Sequence, residues 1–167
     1  MSNGTSTPPA PPPSVQNPLT LLLPIRNAEV YSLRSNLQAL QANLTLSLDS
    51  IGIVHFARLV FLPNTNILAV ITEFDGDFND YILAFVRNPG VAAVFNQILA
   101  VVDDVDTPPS VPSGTSLVPV SQNTDGFIQF LDYYNCTSAS RADSFAWYSA
   151  YPSLTVKQIL ANAKPGT

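Results

Sequence analysis

The chain has 167 residues, of which 46% are hydrophobic and only 11% charged, and it carries a net charge of −5. That is one domain's length with a real core. With so few charges, either uncharged polar residues solvate the surface or a partner covers apolar area. The seven basic residues (Arg26, Arg34, Arg58, Arg87, Arg141, Lys157, Lys164) form no stripe, which argues against nucleic-acid binding, and the lone Cys136 excludes an intrachain disulfide or a thiolate cluster.

Residues 1–17 are polar and proline-dense, and are expected to form a disordered arm of polyproline II character preceding a single domain over 18–164. No signal peptide is visible, and no apolar run is long enough to span a bilayer. The expected location is cytoplasmic, away from membranes. Leu19 to Ile25 is a near-continuous apolar run, expected as a strand buried on both faces and ended by Pro24. Asn27 then offers an N-cap to a helix whose Val30, Leu33, Leu37, Leu40 and Leu44 share one face.

A hairpin follows. Ile53 to Leu62 and Ile67 to Phe74 are strands joined by the turn chemistry of Pro63-Asn64-Thr65-Asn66. Pairing Leu62 with Ile67 sets Arg58 opposite Ile71 and diagonal to Glu73, on one face and within reach of an ion pair. It sets His55 on the other face, opposite Phe74. Asp77 is a candidate N-cap, with Asp80 in the acidic position of a capping box and Phe78, Tyr81, Ile82 and Phe85 as the helix stripe. Asn88-Pro89-Gly90 breaks that helix, and Val91 to Val102 begins another. Residues 103–123 are rich in proline and serine, a composition expected of a flexible loop or lid. Phe127, Phe130, Leu131 and Tyr134 mark a short helix. Phe145 to Tyr151 reads as an aromatic strand. A last helix starts at Pro152-Ser153 and turns Val156, Ile159, Leu160 and Ala163 inward.

Without its inserted helices this order is βαββαβ: a ferredoxin-like α+β fold, with helices on one face of a four-stranded antiparallel sheet. Both faces of the hairpin are apolar, so the open face requires a cover. On this element order and apolarity, over residues 18–163, the chain resembles the dimeric α+β barrel proteins, whose ferredoxin-like sheets pack open face to open face. The stretches VHFARLVFLP, TEFDGDF and AWYSAYPSLTVKQI also resemble a pattern recurring in bacterial proteins, with no activity attached. The resemblance implies a homodimer. Because that superfamily includes small monooxygenases and haem peroxidases, it also implies a cavity for a small apolar ligand or haem.

The chemistry is narrowed mainly by what is missing. His55 is the one histidine, which rules out a His-rich metal site but would suffice as a single haem ligand. A run beginning at Asp75 starts like a calcium loop, yet its sixth residue is Asp80 and its twelfth Val86, where glycine and glutamate are needed. Helix capping accounts for these aspartates without a metal. There is no G-x-S-x-G elbow and no glycine-rich phosphate loop. Arg58 and Glu73, with His55 nearby and Trp147, Tyr148 and Tyr151 as walls, are the candidate pocket or interface residues. Three readings follow: a domain that self-associates through its open sheet face without assignable catalysis; a small-molecule enzyme or haem or apolar-ligand binder using His55 or Arg58; and a protein-interaction module presenting the proline-rich arm.

Overall fold

Three strands lie at the centre of the computed structural model, which describes residues 15–163. The proline-dense arm lies outside the described residues as far as residue 14, and its expected last members Gln16 and Asn17 belong to the first strand. Strand β1 (Gln16–Pro24) leads through a 3-10 turn into helix α1 (Val30–Ile51), followed by β2 (Val54–Phe61) and β3 (Ile67–Asp75). The sheet order is β1–β3–β2, with both neighbouring pairs antiparallel. β3 therefore lies between two strands that are parallel to each other, as in a split βαβ unit.

The alternation of side chains separates two faces. Leu19, Leu21 and Leu23 from β1 and Leu68, Val70, Thr72 and Phe74 from β3 are buried on one face, with Ala57, Leu59 and Phe61 of β2 in register beside them. On the other face Phe56, Arg58 and Val60 of β2 are exposed, and Thr20 and Leu22 of β1 are only half-buried. The first strand is thus fully buried on one face, where burial on both was expected.

The helices supply the rest of the core. α1 runs to Ile51 and ends on Gly52, whose φ of 67° is a left-handed conformation that favours glycine. Helix α2 (Phe78–Arg87) starts on Asp77, whose side chain accepts bonds from the Asn79 and Asp80 amides. Asn88 caps helix α3 (Pro89–Leu99) in the same way, and the two helices bend by 99° at that point. Helix α4 (Thr124–Tyr134) buries Phe127, Phe130 and Leu131 in the same core cluster as Tyr81, Phe85, Phe95 and Ile98, with the Phe127 ring 5.2 Å from that of Phe95. The tract 103–123 sends Leu117 and Val120 into the same core, and the Asp104 carboxylate accepts the Gly114 amide. Among the described residues no single helix is long and apolar enough to cross a membrane.

The fourth strand is not formed. Phe145 to Tyr151 has no strand pairing, and Tyr148 is 85% exposed. The outer edge of β1, where a ferredoxin-like fold would add that strand, is occupied by loop bridges. The Cys136 amide donates to the Thr20 carbonyl, the Thr20 amide donates to Thr137 Oγ1, and the Asp103 amide donates to the Pro24 carbonyl. Pro18 and Pro24, which lack N–H donors, thin the ladder further. The fold is accordingly α+β, about half helical, on a three-stranded antiparallel sheet, not four strands in ferredoxin order. The last helix, α5 (Val156–Asn162), is anchored by a capping box between Thr155 and Gln158, but buries no residue. Leu160, expected inward, is 66% exposed.

Candidate functional site

The polar residues singled out in the hairpin are positioned by its register and by one irregularity. Arg58 pairs with Ile71, which places it diagonal to Glu73 on the open face, as the turn at Pro63–Asn66 dictates. The ion pair does not form. The Arg58 guanidinium lies over the ring of Phe56, its carbon 5.7 Å from the centroid. Glu73 keeps one carboxyl oxygen, Oε1, buried with no hydrogen-bond partner among the described residues, although the side chain as a whole is half-buried. Burial pushes the Glu73 carboxyl above the usual range, opposed in part by the nearby His55.

The irregularity is a β-bulge. Val54 pairs with Phe74 and Phe56 with Glu73, so His55 is the extra residue and leaves the alternation. It was expected opposite Phe74, facing away from Arg58. Instead, its Nε2 lies 2.8 Å from Asp75 Oδ1, on the side that Glu73 and Asp75 occupy. The other Asp75 oxygen accepts the Val156 amide at 2.8 Å, so one carboxylate ties the bulge, the end of β3 and the start of α5 together. This role of Asp75 was not foreseen, since residue type alone cannot locate a single-residue bulge.

Trp147 and Tyr148 do not wall a pocket at Arg58. Trp147 borders a separate cavity of about 400 Å³ beside Pro18 and Phe74, and Tyr148 projects from the unpaired segment. The Nε2 of His55 is engaged by Asp75, and His55 lines neither that cavity nor the groove beside Arg58. Among the described residues no group of three or more His, Cys, Asp or Glu side chains is placed to hold a metal ion.

A groove of about 810 Å³ lies between α1 and β2. Its walls are apolar: Leu37, Leu44 and Leu48 from the helix, Leu59 and Phe61 from the strand. Arg34 and Arg58 also line it. The Arg34 guanidinium carbon stands 4.9 Å from the centroid of the Phe61 ring. Comparison with protein-family models, with curated proteins and with solved structures finds no match to this chain.

Proposed function

We propose that the protein is a non-catalytic association domain whose open sheet face packs against a second copy of itself. The observation that supports this reading is the exposure of Phe56 and Val60, 42% and 44%, on the side of β2 turned away from the core. Ile71 on β3 and Leu22 on β1 lie half-buried on the same face, so the apolar surface continues across three strands. A two-fold related copy offers the same patch, and a self-complementary apolar face is how a closed dimer forms. The partly buried Glu73 carboxyl lies at one end of that face and gains from a drier or donor-bearing surround only in its protonated form or with a partner group.

Light scattering on the eluted full chain tests this reading. A dimer mass is expected for the parent, and a monomer mass for Phe56→Glu with Val60→Glu, with unchanged far-ultraviolet circular dichroism. A parent that stays monomeric at roughly 100 μM, where a micromolar dissociation constant would leave it mostly dimeric, rejects the proposal.

A further inference from the structure

β2 is an edge strand, and its free edge borders the groove under α1. The Leu62 amide donates to the Ile67 carbonyl, which fixes the alternation of the antiparallel ladder. Val60 and Arg58 therefore exchange bonds with Ala69 and Ile71, while Ala57, Leu59 and Phe61 direct their N–H and C=O groups outward. No hydrogen bond between the described residues takes up those outward groups. An unpaired edge beside an apolar trough is a template for strand addition.

Charge then selects the occupant. The chain holds 12 acidic and seven basic residues. None of the 12 lines the groove, whereas Arg34 and Arg58 both do. Neither guanidinium makes an ion pair among the described residues. They flank the edge from opposite sides: Arg34 over Phe61 on the helix side, Arg58 over Phe56 on the open face. Arg58 alone would pass as a charge guarding an edge against aggregation. Arg34, on the helix across the groove, has no such explanation.

We infer that the β2 edge and the α1 groove bind an extended acidic-apolar peptide segment, which adds a strand to the sheet and meets Arg34 and Arg58 with one carboxylate each. Phe56 and Phe61 are five positions apart in an extended strand, on the order of 17 Å. Residues five apart on a paired strand also point to opposite faces, as the two guanidiniums do. The matching segment therefore carries acidic side chains at positions i and i+5, with β-branched residues between them. A second copy of β2 is a poor occupant, because antiparallel edge pairing would bring guanidiniums together with no carboxylate between them. The chain's own first 14 residues contain no acid, and five prolines among them remove N–H donors. The backbone edge is distinct from the open face, but Arg58 stands between Phe56 and Val60 on that face, so a second copy packed there would compete for it, and the titration is read at protein concentrations where light scattering gives a monomer mass.

The probe is a fluorescein-labelled hexapeptide with blocked ends, Glu-Val-Thr-Val-Val-Glu, titrated with the full chain and read by anisotropy. Binding is expected, with slowed hydrogen exchange at the amides of Ala57, Leu59 and Phe61. The Lys-for-Glu peptide, the peptide with its acids at i and i+4, and the doubly substituted protein Arg34→Gln, Arg58→Gln should each bind at least tenfold more weakly. Arg34→Lys with Arg58→Lys, which keeps the charge, should retain most of the affinity, and N-methylation of alternate peptide amides should abolish it. Circular dichroism confirms that the exposed-site variants fold. The inference fails if N-methylation or the double Gln variant leaves affinity unchanged. It also fails if sodium laurate binds the groove and the hexapeptide does not, which would make it a fatty-acid site.

Discussion

Thr72 and Glu73 are adjacent on β3 and face opposite sides of one sheet, and their polar groups have opposite fates. On the core side the buried Tyr81 hydroxyl donates to Thr72 Oγ1 at 2.7 Å, with the Tyr81 ring stacked on Phe74 at 3.9 Å between centroids. Burial holds the Tyr81 phenol far above its ordinary pKa, so it remains a donor. On the open side Glu73 buries an oxygen with no hydrogen-bond partner among the described residues. A finished interior pairs its polar groups. The open face leaves one unpaired among the described residues beside exposed Phe56 and Val60, which is the contrast the proposed second copy would remove.

The strongest way to break this comparison is to truncate the same kind of side chain on each face. Leu21 is fully buried, and Leu21→Ala should cost about 3–5 kcal/mol in denaturant unfolding, through lost transfer energy and an unfilled cavity. Val60→Ala should cost below about 1 kcal/mol in the monomer, since Val60 is nearly half exposed there. If a concentration series shows the Val60→Ala cost rising toward the core value at high protein concentration, the open face is covered by a second copy. Equal small costs at every concentration would leave the two faces simply inside and outside.

Tyr81→Phe probes the paired side at smaller scale. Removing the hydroxyl leaves Thr72 Oγ1 without its donor in a site already closed to water, and a loss of about 1–2 kcal/mol is expected. The stack on Phe74 is preserved, so the denaturant slope should not change. A neutral outcome would mean that Thr72 finds another partner, and the contrast with Glu73 would weaken.

Much of this contrast was legible in the sequence, because it rests on period and turn chemistry. The turn Pro63–Asn66 fixes the register, so Arg58 opposite Ile71 follows from counting. The cap at Asp77 follows from residue type and the apolar stripe behind it, whereas Asn88, read only as a helix breaker, also caps the next helix. What failed depended on partners. Phe145–Tyr151 has the composition of a strand, but a strand needs a free edge, and Cys136, Thr137 and Asp103 already occupy β1. The bulge at His55 shifts a single residue, and Val54-His55-Phe56 reads equally well as unbroken strand. The last helix shows the stripe of a buried one, yet in α5 Val156 and Ile159 are only half-buried and Leu160 is exposed. The groove could not be read at all, because a one-dimensional pattern does not say which strand lies at the edge.

Glu73→Gln should have the smallest effect and the sharpest sign. Burial raises the carboxyl's folded-state pKa above its unfolded value near 4.3. The folded state thus binds the proton more tightly, so the associated stability is fully present below the unfolded pKa and is lost as pH rises through the folded value. Glutamine keeps the shape without that charge. At about pH 4 parent and variant should melt together, and by pH 7 the variant should melt slightly higher, the gap opening across the interval between the two pKa values. Comparing melting curves at low and high protein concentration makes the test decisive for the open face. If a second copy supplies a donor to Oε1, the carboxylate is paired in the dimer and the Gln advantage at pH 7 should shrink or reverse as concentration rises. If the advantage is the same at every concentration, Glu73 stays unpaired and the open face is not covered at that end.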